Sequence, residues 1–348
     1  MNIQNQTNTF KPKNNEVSNW LLLIALMVLI MVLIGGITRL TGSGLSMVEW
    51  RPLMGFLPPM SNEEWIRVFS LYKKSPEFIE INNAISLSDF KEIFWWEYIH
   101  RLWGRLIGIA FVIPFLWFLF KGLINKSLAP RLLLLFILGG AQGVLGWYMV
   151  KSGLVDKPEV SQYRLAAHLV FALVLYLGLI WTALELRYPK SENSQPHQTY
   201  RSLKALAQLI FVFVFITIFS GALVAGTDAG FYFNTFPLMD GSLIPKNYFP
   251  QPWYVSAFED IATVQFHHRA LAIITFIIAV ITWWYSRGTM LEKRAQMAAN
   301  ILIIIALAQV TLGISTLVLG VPVSLAALHQ TFAVLLLSAS VWFVFELR

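Results

Sequence analysis

Eight apolar runs, each near the length a bilayer demands, restrict this chain to a membrane fold before any other feature is considered. They cover approximately 20–38, 98–120, 132–150, 165–184, 206–225, 266–285, 298–319 and 323–345. About 20 residues at 1.5 Å rise cross the hydrocarbon of a bilayer. Lipid offers no partner for open backbone groups, so each run must satisfy its own hydrogen bonds as a helix. Composition agrees: 57% of the 348 residues are hydrophobic and 13% are charged, whereas a soluble domain is about 25% charged.

The connections set an orientation. The N-terminal tail and the even-numbered connections carry Lys11, Lys13, Lys121, Lys126, Arg131, Arg187, Lys190, Arg201, Lys204, Arg287, Lys293 and Arg294, with few acids. The long first loop mixes acids and bases, and the loop after the fifth run sets Asp228, Asp240, Glu259 and Asp260 against Lys246. By the positive-inside tendency both termini face the cytoplasm and the two long loops face out. The first apolar run is too long for a signal-peptide core and has no Ala-x-Ala-type cleavage site. The tail is not an Arg- and Ser-rich transit peptide, so the run reads as a retained helix of a bacterial inner membrane.

The formal charge of +7 belongs to such cytoplasmic loops and does not point to nucleic acid. The chain has no cysteine, which excludes disulfides, thiolate metal sites and iron–sulfur clusters. Six histidines are left as the strong soft-metal ligands.

An internal repeat orders the eight helices. Gly35-Gly36-Ile-Thr-Arg-Leu-Thr-Gly-Ser-Gly44 and Arg51-Pro-Leu-Met-Gly55 match Ser220-Gly221-Ala-Leu-Val-Ala-Gly-Thr-Asp-Ala-Gly230 and Phe236-Pro-Leu-Met-Asp-Gly241. Ile99-His-Arg101 matches His267-His-Arg269, Gln142-Gly-Val-Leu-Gly146 matches Gln309-Val-Thr-Leu-Gly313, and Ala167-His168 matches Leu328-His329. The expected fold is an all-α integral membrane protein, eight transmembrane helices as two pseudo-symmetric four-helix bundles. Its expected parts are a cytoplasmic tail at 1–19, a first half at 20–186 with a long outer loop at 39–97, a linker at 187–204 and a second half at 205–348. Within the outer loop, Ser61-Asn-Glu-Glu64 has a capping-box pattern. Trp65, Val68, Phe69 and Tyr72 then follow at helical spacing, as an amphipathic helix that either covers a pocket or lies on the membrane face.

A histidine inside a membrane helix marks a functional candidate. His100, His168, His268 and His329 fall one each on the second, fourth, sixth and eighth helices, near their outward ends, and the repeat pairs His100 with His268 and His168 with His329. Imidazoles from two neighbouring helices suit bis-axial haem ligation, the apolar helices holding the macrocycle. His267 is expected to pack or hydrogen-bond beside His268, and His197 to be solvated in a cytoplasmic loop.

The halves differ at one position: Glu97 precedes His100 where Gln265 precedes His268. A carboxylate can take up a proton or stabilise developing charge, and an amide cannot do acid–base chemistry. Glu97 therefore reads either as a chemical group or as the i, i+4 partner of Arg101. Arg101, Arg105 and Arg269 read as propionate contacts or as snorkelling interfacial residues, and Phe94, Trp95, Trp96 and Trp103 as an interfacial belt.

The stretches Gly-Gly-Ile-Thr-Arg-Leu-Thr-Gly-Ser-Gly-Leu-Ser-Met at 35–47, Trp50-Arg-Pro-Leu-Met-Gly55 and Trp96-Glu-Tyr-Ile-His-Arg-Leu-Trp-Gly-Arg105 resemble haem A synthase, in its alphaproteobacterial and mitochondrial branch, over nearly the whole chain. The resemblance implies oxidation of the C8 methyl of haem O to a formyl group, giving haem A for the terminal oxidase. It assigns His100 and His168 to the substrate haem and His268 and His329 to a haem b cofactor, and makes Glu97 essential to the chemistry. Haem O synthase and the oxidase under assembly are the implied partners, and a homo-oligomer is compatible. Some members carry a cysteine pair in the first outer loop; this chain does not, so thiol-based electron transfer cannot apply to it.

Two other classes fit parts of the sequence. A di-haem electron-transfer cytochrome would use the same ligands, but all four histidines lie in one leaflet, which disfavours transfer across the bilayer. A transporter shares the parallel repeat, yet the helix centres lack a polar pathway.

Overall fold

The structure, a computed structural model, describes residues 13–49, 56–153, 160–189 and 200–348. Lys11, the motif at 50–55, Lys190 and His197 lie outside the described residues. The helices are α1 (Lys13–Leu40), α2 (Asn62–Tyr72), α3 (Pro76–Glu80), α4 (Leu87–Phe120), α5 (Leu128–Gly153), α6 (Gln162–Arg187), α7 (Tyr200–Gly226), α8 (Trp253–Glu259), α9 (Ile261–Arg287), α10 (Lys293–Val318) and α11 (Val323–Glu346). Among the described residues, eight of these (α1, α4, α5, α6, α7, α9, α10 and α11) are long and apolar enough to cross a membrane.

Two boundaries differ from the hydropathy reading. α1 starts at Lys13 and so takes in part of the expected tail. α4 starts at Leu87, well before its apolar stretch, because Ser86 and Asp89 form a reciprocal cap: Ser86 Oγ accepts from Asp89 N at 3.3 Å and Asp89 Oδ2 accepts from Ser86 N at 2.8 Å. The capping box expected at Ser61 is half made. Ser61 Oγ accepts from Glu64 N at 3.2 Å, but the Glu64 carboxylate takes Met60 N instead.

In the first half, α1 packs on α4 and α6, and α5 packs on the same two. In the second, α7 and α10 each pack on α9 and α11. Each half thus closes a ring of four helices, and the rings meet where α6 and α1 lie against α7 and α11. Tyr176 Oη on α6 meets Ser338 Oγ on α11 across this seam at 2.8 Å.

Packing is uneven along the membrane normal. The large core cluster draws on Leu21 and Ile24 of α1, Leu179 and Ala183 of α6, Leu302 of α10 and Leu337 of α11, toward the end that carries the termini. That end is also tied by charge in a repeated way. Arg131 meets Glu185 at 2.5 Å and Arg294 meets Glu346 at 2.6 Å, and Trp181 Nε1 and Trp342 Nε1 each donate to the glutamate of their own helix at 2.7 Å. Toward the long connections the packing thins: no residue of α4 from 99 to 110, of α5 from 136 to 152 or of α9 from 266 to 274 is buried. The histidines lie at this level.

Candidate functional site

The first long connection folds onto the start of α4. Trp65, Phe69 and Tyr72, the apolar face of α2, are buried against Phe90, Phe94 and Tyr98 of α4. Trp65 meets Phe94 edge-on at 5.0 Å, and Phe69 and Tyr72 both lie 5.0 Å from Phe90. α2 is therefore a cover seated on an extended helix. Phe94 belongs to that cover, and Trp103 anchors within the bundle by donating Nε1 to Met27 O at 2.8 Å; neither is a simple belt residue. Under α2 lies a cavity of about 90 Å³ whose lining includes Met47, Glu49, Arg67, Phe94, Arg101 and Arg105. That volume suits a few waters.

Glu97 is buried at 2% exposure and fully engaged. Its Oε2 accepts from Ser46 Oγ at 2.7 Å and from Met47 N at 2.6 Å, and its Oε1 accepts from Arg101 at 2.5 Å. Arg101 in turn donates to Met47 O at 2.9 Å and Glu49 O at 3.3 Å. The pair clamps the chain that leaves α1. The second half repeats the clamp with an amide. Gln265 Nε2 donates to Ala229 O and Tyr232 O at 2.7 and 2.6 Å, its Oε1 accepts from Arg269 at 3.1 Å, and Arg269 continues to Thr235 O at 2.8 Å and to Phe233 O. Of the two readings of Glu97, the structure contains the i, i+4 ion pair with Arg101, three residues from His100 in the chain. Of the arginines, Arg101 and Arg269 serve loop carbonyls, Arg269 keeps a buried Nε with no protein partner, and Arg105 lies over the Phe56 ring at 5.3 Å.

The four intramembrane histidines occupy equivalent places. His168, His268 and His329 each come about two turns into their helix, roughly 9 Å from its start at 1.5 Å per residue, and all four are half-buried. His100 and His168 lie within electrostatic reach of each other, as do His268 and His329. Each ring faces a glycine of the helix before its own: His100 faces Gly35, His168 Gly146, His268 Gly221 and His329 Gly313. Polar groups attend some of them. Ser220 Oγ lies 2.8 Å from His268 Nδ1 and donates to Thr217 O at 2.8 Å. With its one proton so used, Ser220 accepts from Nδ1–H, which leaves the Nε2 lone pair free for a metal. Gln142 Nε2 lies 3.2 Å from His168 Nδ1 and donates to His168 O at 2.9 Å. On the repeat-related pair, Gln309 Oε1 and His329 Nδ1 are buried without a partner. His267 turns away from the group, its Nε2 3.0 Å from Tyr248 Oη.

These donors fit a tetrapyrrole better than a bare ion. Among the described residues no cluster of three or more histidines, aspartates or glutamates converges as a metal site. The imidazoles instead come in pairs within electrostatic reach, on α4 and α6 and on α9 and α11, which lie across each ring from one another, an arrangement that would suit the two ligands of a haem.

Comparison with known proteins places the arrangement. The family described as cytochrome oxidase assembly protein, COX15-CtaA, matches residues 18–341. The chain belongs to the COX15-CtaA family. Its relatives include a heme A synthase of Nitrosospira multiformis, 46% identical over 99% of this chain and 98% of that protein. Another is a heme A synthase of Paramagnetospirillum magneticum, 47% identical over 96% and 94%. The bovine protein heme A synthase COX15 is 44% identical over 97% of this chain and 83% of its own length. Residues that the sequence reading passed over in this COX15-CtaA chain are the glycines facing the rings, Gln142, Gln309 and Ser220. The repeat aligns Gln142/Gly146 with Gln309/Gly313 but Gly35 with Ser220 rather than Gly221, so it does not by itself mark which glycine a ring faces.

Proposed function

We propose that this protein converts haem O to haem A for cytochrome oxidase assembly, as the names of its relatives indicate. The observation that carries the reading is one pair of imidazoles in each half, within electrostatic reach on helices that lie across the ring from one another. In this reading His100 and His168 hold the haem substrate, and His268 and His329 hold a haem b. The haem b supplies one-electron redox capacity. The substrate methyl would give up four electrons to an external oxidant, two on passing to the alcohol and two on passing to the gem-diol, which loses water to give the aldehyde, an oxidoreductase reaction at a CH group.

The division of labour rests on differences between the halves. Ser220 fixes the tautomer of His268, as a resident cofactor requires, while the matching position beside His100 is Gly35. Glu97 presents a carboxylate where the second half has Gln265. Beyond clamping the loop, this carboxylate accepts a proton or steadies positive charge beside the methyl. Arg269, with its buried unpartnered Nε, takes a propionate of the second haem, and Arg101 and Arg105 flank the first. The charge distribution supports both termini on the cytoplasmic side; in this reading the membrane is a bacterial inner membrane and haem O synthase supplies the substrate.

The test is pigment extraction after expression with a haem O producer. The parent should yield haem A, and each histidine variant should lose haem from its own half. Glu97→Gln removes the carboxylate and keeps the Arg101 contact through Oε1, but Gln265 Nε2 donates to carbonyls where Glu97 Oε2 accepts from Met47 N, so haem content is read as the control for a loosened clamp. That variant should keep haem bound and lower haem A formation at least about 100-fold, the usual reach of a general acid–base group. Full conversion by Glu97→Gln would reduce Glu97 to a clamp, and a parent that never binds haem would remove the whole reading.

A further inference from the structure

We infer that Gly35, Gly146, Gly221 and Gly313 are positioning residues that set how far each ligand imidazole stands from the iron it would bind. The inference rests on the haem-binding reading above, and its observations are steric. A β-carbon built on Gly313 would stand 2.8 Å from His329 Cε1; on Gly146, 3.0 Å from His168 Cε1; on Gly221, 3.1 Å from His268 Cε1; and on Gly35, 3.2 Å from His100 Nε2. Ordinary contact begins at 3.4 Å, and real β-carbons essentially never come under 3.0 Å. Each ring is therefore backed directly onto a neighbouring helix that must present no side chain there.

The pattern is not general glycine placement. Gly140 and Gly143 lie on the same helix as Gly146, and Gly108 on the same helix as His100, yet a β-carbon on any of these meets nothing within 4 Å. The contacts also recur with a fixed topology, the second helix of each half backed by the first and the fourth by the third. In three of them Cε1 is the ring atom nearest the glycine; Nε2 is the more distant ring nitrogen at Gly221 and Gly313, and the two nitrogens are equidistant at Gly146. His100 presents Nε2 and Cδ2 instead; a half-turn about χ2 exchanges Nε2 for Cε1 and gives the arrangement of the other three.

The consequence is geometric. Two imidazoles that share an iron must be spaced to within a few tenths of an ångström, since a metal–ligand bond tolerates deviations of about 0.2 Å. A ring that cannot retreat into its glycine is pushed toward the iron or tilted off the axis. The conflict should scale with the distances, largest at Gly313 and smallest at Gly35.

The experiment uses the full-length protein purified with its haem, reading haem per polypeptide and the low-spin electron paramagnetic resonance g-values. Gly313→Ala and Gly221→Ala should lose haem roughly 10-fold faster than the parent or show displaced g-values, the losses that disturbed ligand support commonly brings. Gly313→Ala should be the more affected. Gly140→Ala and Gly143→Ala should match the parent. Parental haem content and g-values in Gly313→Ala would overturn the inference while leaving the haem-binding reading intact, whereas a parent without haem would remove that reading itself. Accumulation is compared in a His329→Gly background, where no ring remains to be struck. There Gly313→Ala should accumulate as well as His329→Gly alone, and a deficit would assign its effect to helix packing and overturn the inference.

Discussion

The Ser220 hydroxyl is one of the groups that distinguish the two ligand pairs. The repeat aligns Ser220 with Gly35, and at Ser220 the second half gains a buried acceptor 2.8 Å from His268 Nδ1. Ser220→Ala removes that acceptor and leaves the Thr217 carbonyl, to which the hydroxyl donates, as the remaining partner for the N–H. Outer-shell partners of this kind are worth about 10–100-fold in ligand affinity. The haem proposed for His268 and His329 should therefore leave Ser220→Ala at least about 10-fold faster, measured by transfer to apomyoglobin, while the haem proposed for His100 and His168 stays. Equal transfer rates would show that the hydroxyl does not hold the tautomer. The histidines were legible in the sequence because an intramembrane imidazole is costly and these four repeat. The glycines behind them were not, because a one-letter pattern shows that Gly146 and Gly143 share a helix but not which of them a ring on the next helix touches. Gln265 shows the same limit. Its contrast with Glu97 was visible as chemistry, but the loop clamp common to both depends on where residues 43–49 and 229–238 fold back.

At the scale of elements, length and hydropathy suffice for the eight spans, because a helix is the one solution lipid permits. They fail where a helix leaves the membrane. The extension of α4 back to Leu87 is built from aromatic packing under α2 and a cap at Ser86, features of a small water-facing domain, and α3 and α8 are too short to carry a period. This cover has its own stability. Phe90 is fully buried in it, so Phe90→Ala should cost about 3–5 kcal/mol, within the range for a core phenylalanine, and should release α2 to proteolysis without loss of the membrane helices. The cover also contains a buried acid. Glu77 on α3 is 6% exposed with Oε2 unpartnered, and burial, opposed by the Tyr72 hydroxyl and reinforced by the charge of Glu97, pushes its carboxyl up to about 7. The packed cover thus favours the protonated acid. Below the ordinary glutamate value both closed and opened forms carry the proton and stability is complete. As pH rises from there to about 7 the opened form ionises first, so the cover loosens, and above 7 the loss levels off. Cleavage of the 56–86 segment should accelerate over that window in the parent, and Glu77→Gln should flatten the profile. An unchanged profile in Glu77→Gln would assign the pH dependence to another group.

For the whole molecule, the question is what holds two four-helix rings together in a solvent as apolar as they are. Lipid removes the hydrophobic drive between helices, so association rests on close packing at small residues and on interhelical hydrogen bonds. The seam supplies both at one place. Gln330, the residue after His329, donates Nε2 to Val32 O at 2.9 Å, and its carboxamide occupies the space a side chain on Gly36 would need. Gly35 and Gly36 point about 100° apart around α1, as consecutive helical residues must. The first therefore admits His100 of its own bundle and the second admits Gln330 of the other. The two proposed haem sites thus press on α1 at adjacent residues. The exposed pair Arg39–Asp228, 2.8 Å apart, also bridges the halves, but a surface ion pair is worth about 0–1 kcal/mol. Gly36→Ala must displace Gln330 and break its hydrogen bond, a loss of about 1–2 kcal/mol by membrane helix measures. With a protease site placed between 190 and 199 and cut after assembly, the parental halves should stay together in detergent. Gly36→Ala should weaken that association roughly 5–30-fold, the factor that 1–2 kcal/mol represents, and Asp228→Asn should leave it within about 5-fold of the parent. If the cleaved Gly36→Ala protein holds together as tightly as the parent, the glycine pair serves His100 alone and the seam is carried by the apolar packing of α6 and α1 on α7 and α11.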